Sequence, residues 1–403
     1  MKSPSEFFFM RDGLQTFSLE PEKHNFLLFG SRDRERRDHL LDLLEEASYS
    51  REGHKSVVLG DYGRGKTHQS QNIKYEIGKR ELGLYPIYIK CIEFKSKEPF
   101  STFFKELVLN IPTAELKRMA QAYEERTLRN EVPSLEKVIG DEDIARVFRD
   151  GLTAPSLEIV RLSMRWLGGE QKLDMSKVKV GAALPTLQVS KQFGAVMKGL
   201  VHLFREIEGA VPLYLIDEAQ RFILVTNSDT YWSWLAALRD LTEIAGVAYI
   251  FFIGSKNRDE LPPMFLADEL MTRIGVSNYV EFFNQGREEL REFLTELFQT
   301  VIRKGSVPAA VKPVLIDKFG GEIDEAVPEE LINIVAGSGE SLETYPFTQE
   351  ALDQLIEKCA SSDFSNRPRE LLKLVQKATN RALRKGSRLV DASILEEVSG
   401  EAF

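Results

Sequence analysis

Lys66 and Thr67 follow three glycines, Gly60, Gly63 and Gly65, in the stretch VVLGDYGRGKTH at residues 57–68. The run Gly60, Asp61, Tyr62, Gly63, Arg64, Gly65, Lys66, Thr67 fits G-x-x-x-x-G-K-[ST] with an extra glycine at 63. Glycines let a backbone curl so that its N–H groups point inward at phosphate oxygens. A lysine at this place reaches the β- and γ-phosphates of a nucleotide, and the hydroxyl beside it ligates Mg²⁺. The chemistry is that of a phosphate cradle, with His68 counted among its contacts.

Such a cradle needs a strand before it and a helix after it. Lys55–Leu59 (KSVVL) reads as a buried parallel strand, and THQSQNIKYEIGKR from Thr67 reads as a helix. The N-terminus of that helix adds its positive dipole end to the glycine loop. A second strand should end in an acid for the metal, and LYLIDE at 213–218 does so. Asp217 is placed to hold Mg²⁺, and Glu218 to orient or deprotonate the attacking water. No base-reading N-K-x-D follows, and the paired acids point to ATP rather than GTP.

A third strand, AYIFFI at 248–253, leads into Gly254, Ser255, Lys256 and Asn257. A polar side chain at that tip can touch the γ-phosphate or the water; Ser255 is the first choice and Asn257 the second. Arg273 lies in DELMTRIG, just before a further strand, YVEFF at 279–283. An arginine there can project from a subunit edge into a neighbour's site and stabilise transferring charge. A close ion pair within one chain would remove that intersubunit role. In FSNRPRELLKL (364–374), Pro368 suits a first helical turn and aims Arg369 at the phosphates, with Arg367 as the competing choice.

With these motifs in this order, the sequence resembles the AAA+ superfamily, and within it the origin-initiator and STAND-like branch. FGSRDRERRDHLLDLL (29–44) is similar to the branch's F-x-G-R-x-x-E-x-x-x-L segment, which packs near adenine, and so implies Arg32 as a nucleotide contact. GDYGRGKT looks like Walker A and LYLIDE like Walker B. Ser255 stands at the sensor 1 position, Arg273 at the arginine-finger position and Arg369 at the sensor 2 position. PFTQEALDQLIEKC (346–359) with RPRELLKLVQKA looks like the helical lid. The resemblance implies ATP hydrolysis with ATP and Mg²⁺ as cofactors, and a homo-oligomer, ring or filament. SMRWLGGEQKL (163–173) resembles ATPases of BREX-type phage-defence systems. The chain stops at Phe403, where an origin initiator would be expected to continue into a winged-helix domain.

The expected architecture is α/β: a parallel-sheet P-loop AAA+ core with a helical insertion, then an α-helical lid domain. Residues 1–28 form a leader with phenylalanines 7, 8, 9, 17 and 26, expected to pack on the core or on a neighbouring subunit. Residues 29–285 form the core, with strands near 56–59, 85–91, 213–217, 248–253 and 279–283. Its insertion spans about 100–205, because the stretch from Lys66 to Asp217 is longer than the fold needs. Residues 286–403 form the lid, with a second insertion at about 304–344.

Bulk properties narrow the classes further. At 403 residues the chain holds two or three domains, and a net charge of −9 excludes a protein that is basic all over. Charge is nevertheless segregated: Arg369, Lys373, Lys377, Arg381, Lys385 and Arg388, with Arg384, form a basic stripe suited to sequence-independent DNA contact. Trp232 and Trp234 sit on an amphipathic stretch, either buried or facing a partner. Two cysteines, Cys91 and Cys359, exclude a disulfide framework and read as buried thiols. No apolar run is long enough to span a bilayer, so no membrane contact and a cytoplasmic location are expected. Without a nuclease, protease or DNA-reading domain, the chain is expected to work with protein partners of one multicomponent system.

Overall fold

A computed structural model describes residues 3–91, 99–170, 187–224, 228–255, 257–282, 286–305, 307–320, 326–360 and 368–400. The chain divides into two compact units: Met1–His39, Asp61–Glu76 and Phe282–Phe403 form one, and Leu40–Gly60 and Ile77–Glu281 form the other.

The second unit is built on a sheet whose strands are β1 (Lys55–Gly60), β2 (Leu84–Lys90), β3 (Val211–Asp217), β4 (Ala248–Gly254) and β5 (Tyr279–Phe282). Their order is β2-β3-β4-β1-β5. The pairs β1–β4, β2–β3 and β3–β4 are parallel, with Val57 opposite Phe251 and Leu215 opposite Ile250. Parallel strands cannot be joined by tight hairpins, so each step needs a crossover. β3 is buried at every position and β4 at all but its last, as their unbroken apolar runs require of strands covered on both faces.

Between β2 and β3 the described chain is helical, with its main helices at Pro99–Leu109, Thr113–Leu128, Leu157–Leu167 and Val189–Leu203. Phe103 and Phe104 are fully buried, and Phe100 and Phe103 meet Trp234 edge-on at 5.9 and 5.6 Å. Trp234 is 1% exposed and Trp232 is 61% exposed. Two positions along a helix turn the side chain about 200°, so the pair cannot share a face. Trp166 of SMRWLGGEQKL is fully buried, and the motif's last three residues lie outside the described chain.

In the first unit, the leader joins the lid's own core. Phe8, Phe17 and Phe26 are buried among Leu294, Phe298, Tyr345, Leu355 and Leu371. Met10 bridges Ile302 in antiparallel fashion, and Arg11 N–H donates to Val301 O at 2.7 Å. Arg388 lies over the rings of Phe7 and Phe9, at 4.3 and 5.0 Å from their centroids. Each buried phenylalanine contributes about 1.5–3 kcal/mol of transfer free energy, so a segment of this composition folds onto apolar surface. Arg34 grips Glu296 with both terminal nitrogens at 2.6 and 2.7 Å, fastening the chain ahead of the glycine loop to the helix Arg287–Val301. Cys91 and Cys359 are both buried free thiols.

Candidate functional site: the glycine loop and the paired acids

The chain leaves β1 at Gly60, and a helix begins at Lys66 and runs to Arg80. Gly63 and Gly65 hold φ of +81° and +83°, values that side-chain-bearing residues reach only under strain. A Cβ at Gly65 would meet nothing within 4 Å, so the loop is open there. Lys66 is 9% exposed, and its Nζ donates to Asp61 O at 2.9 Å and lies 5.9 Å from the Tyr62 ring centroid. Tyr62 N–H donates to Asp61 Oδ1 at 2.7 Å. Arg64 is 6% exposed, and its N–H donates to Asp61 O at 3.4 Å. One ammonium, two left-handed glycines and a helix N-terminus are a donor set that fits a polyphosphate.

Arg369 enters this loop through its backbone. Its N–H donates to Gly63 O at 3.2 Å, at the start of the helix Pro368–Lys385, while its side chain is exposed. Pro368 is buried at the first helical position, the place its missing N–H allows. Arg367 lies outside the described residues. His68 turns away from the loop: Nε2 donates to Leu27 O at 2.5 Å, and burial pushes its imidazole pKa down. Its imidazole is thus engaged with Leu27, which leaves the expected nucleotide contact of His68 without support from its side chain. Arg32 is paired with Glu289 at 2.5 Å. Ser70 Oγ donates to Thr67 O at 2.8 Å, one bond anchoring the turn that carries Thr67.

The paired acids belong to the sheet unit. Asp217 ends β3 at 1% exposure. Its Oδ1 accepts from Glu218 N–H at 2.8 Å and its Oδ2 from the Tyr88 hydroxyl at 2.9 Å. Glu218 takes a left-handed φ of 58°, which swings its side chain out of strand geometry. That carboxylate meets Arg221 Nη2 at 2.7 Å and Lys90 Nζ at 3.8 Å. At the tip of β4, Ser255 N–H donates to Gly60 O at 3.0 Å, and Ser255 Oγ donates to Asn257 O at 2.5 Å. The Asn257 side chain caps a short 3-10 turn by accepting from Glu260 N–H at 3.0 Å. Gln220 Oε1 accepts from Gly254 N–H at 2.8 Å. Tyr88, Arg221 and Gln220 escaped the sequence analysis because their roles follow from strand register and a turn, not from a motif.

Arg273 makes the intrachain pair that counts against its expected role, meeting Glu243 at 2.7 Å. The pair is half-exposed, with side chains at 51% and 43%, so it is worth about 0–1 kcal/mol. The intersubunit assignment of Arg273 is therefore withdrawn. The basic stripe is also shorter than expected. The helix ends at Lys385 and Gly386 turns left-handed, at φ 71°, so Arg388 leaves the helix face and meets Glu330 at 2.7 Å. Lys373 pairs with Glu370, and Lys385 with Glu397. Arg369, Lys377 and Arg384 remain exposed, with no ion pair among the described residues.

Among the described residues, no three histidine, cysteine or acidic side chains gather as a metal site. No described helix is long and apolar enough to cross a membrane.

No protein-family model matches the sequence, and no curated protein matches it. Among solved structures, Cdc6p from Pyrobaculum aerophilum is similar with a TM-score of 0.50 and 11% identity, over 98% of this chain and 72% of that one. The Orc1 protein of Aeropyrum pernix, in complex with DNA, gives 0.46 and 12%, over 93% and 66%. Drosophila ORC bound to DNA gives 0.44 and 12%, over 95% and 66%. The chain thus spans about two thirds of the latter two. At such identities the likeness is one of fold: a parallel-sheet P-loop core with a helical lid, as in Cdc6p.

Proposed function

We propose that this chain is a Mg²⁺-dependent ATPase whose ATP binding and hydrolysis drive assembly and the remodelling of DNA or a protein partner. The observation that carries this reading is the loop itself: two left-handed glycines leading into a helix that starts at Lys66. Lys66 would neutralise the β- and γ-phosphates, and Thr67 and Asp217 would hold Mg²⁺. When bound, the metal would supply charge neutralisation on the transferring phosphoryl group. Glu218 would orient the attacking water, with Ser255 at the strand tip and Arg369 on the lid side. Exposed Arg369, Lys377 and Arg384 offer a sequence-independent grip on a phosphate backbone. The initiator-like branch, the partners from one multicomponent system and a phage-defence setting rest on the sequence resemblance.

Glu218→Gln tests the catalytic reading. It should leave ATP affinity within about threefold and lower turnover by roughly 10²-fold or more, trapping ATP on the protein. Unchanged turnover would sink the assignment of Glu218.

One observation favours a second reading, a stably ATP-bound scaffold with slow hydrolysis. Glu218 is held by Arg221 and faces Lys90, so the carboxylate that should meet water is engaged by cations instead. In that case Glu218→Gln changes turnover little, because turnover is already low.

A further inference from the structure

We propose that Tyr88 is a positioning residue that fixes the Asp217 carboxylate for a divalent cation. This rests on reading Asp217 as the cation-side acid. Tyr88 stands opposite Leu215 in the parallel register of β2 and β3, and Lys90 stands opposite Asp217. Alternate residues share a face, so Tyr88 lies one pleat behind Asp217 on the same side of the sheet. Its long phenol reaches forward along the strand direction, and the hydroxyl donates to Asp217 Oδ2 at 2.9 Å. The other oxygen, Oδ1, accepts from Glu218 N–H at 2.8 Å.

Two donors on two different oxygens set the rotation of the carboxylate about its Cβ–Cγ bond. A backbone N–H holds one side whatever the side chains are. The Tyr88 hydroxyl holds the other, and it is the part that substitution can remove. Each carboxylate oxygen has two lone pairs, so these two hydrogen bonds do not by themselves exhaust its capacity to accept. A hydrogen bond of this kind orients the ligand and tunes its basicity, and losing it commonly costs 10–100-fold in metal affinity. The motif search passes over Tyr88 because nothing in YPIYIK marks it; only the strand pairing brings it to Asp217.

The test uses the full chain loaded with a non-hydrolysable ATP analogue, and reads Mn²⁺ binding by electron paramagnetic resonance. Tyr88→Phe removes one oxygen from a half-buried ring, and both proteins are assayed at the same interval below their own melting temperatures. The expected result is a loss of about tenfold or more in Mn²⁺ affinity, with metal-free affinity for the analogue within about twofold. Equal Mn²⁺ affinity in wild type and Tyr88→Phe would overturn the proposal, leaving the hydroxyl as a partner for a buried acid and nothing more. Asp217→Asn separates the two levels. If it weakens Mn²⁺ binding while Tyr88→Phe does not, the role of Tyr88 falls alone. If Asp217→Asn leaves Mn²⁺ affinity unchanged, or wild type binds no analogue, the reading of the site falls and that of Tyr88 with it.

Discussion

In the unit that carries the glycine loop, the lid helix meets the loop through main-chain groups, Arg369 N–H to Gly63 O, and the Lys66 side chain adds a bond from Nζ to Asp61 O within the loop. In the sheet unit, the two acids are tied largely by side chains: the Tyr88 hydroxyl on Asp217, and Arg221 with Lys90 on Glu218. The Arg369–Gly63 bond survives many substitutions, because most residue types bring the same N–H and C=O. The ties of the acids can be altered one side chain at a time. Substitution should therefore change the partners of the two acids more readily than the meeting of the lid helix with the glycine loop.

The largest effect should come from the core beneath the loop unit. Phe17 is fully buried and meets Phe298 edge-on at 5.6 Å. Phe17→Ala should cost about 3–5 kcal/mol of stability, read by denaturant unfolding. A loss under 1 kcal/mol would mean that the leader is not part of that core. Lys66→Ala should leave the melting temperature near that of wild type and weaken affinity for an ATP analogue by roughly 10–100-fold, the worth of a charge-assisted bond to phosphate. A collapse of the fold instead would show that the loop's shape depends on the lysine and would break the contrast drawn above.

Lys304 gives the unit that carries the glycine loop a pH-dependent term in stability. It is 6% exposed, and its Nζ donates to Glu343 O at 2.7 Å and Tyr345 O at 3.2 Å. Burial lowers its pKa from 10.5 to about 7. Between those values the unfolded chain holds the proton and the folded chain releases it. Stability should therefore rise with pH through this window and be flat in this term below pH 7. Lys304→Met should abolish a gain of roughly 1–2 kcal/mol between pH 7 and 9. An unchanged pH profile would show that the amine stays charged in the fold. The smallest effect concerns the acids: Arg221→Ala should raise turnover about 2–5-fold, since a part-exposed pair is worth about 1 kcal/mol or less. A fall in turnover would mean that Arg221 aims Glu218 rather than restraining it.

Much of the architecture was legible in the residues. The five expected strands match the observed ones to within about two residues at each end; β3 and β4 are apolar runs that a strand covered on both faces buries, while β2 and β5 mix buried with more exposed positions. The glycine loop was legible because left-handed backbone and a phosphate-reaching lysine demand particular residue types at particular spacings. Where one motif residue could meet several partners, the sequence was silent. His68 turns to Leu27, Arg388 to Glu330 and the leader, and Arg273 to Glu243, each through a contact far away in the chain.

By itself the sequence determined the order of the elements, the loop and the positions of the two acids, since these depend on local backbone preference and burial period. Only the tertiary structure decided what holds them. The register of β2 against β3 puts Tyr88 on Asp217, the left-handed turn at Glu218 carries its carboxylate to Arg221, and the lid helix brings a single N–H to Gly63. Side-chain partners are chosen by packing between segments distant in sequence, and no local pattern records that choice.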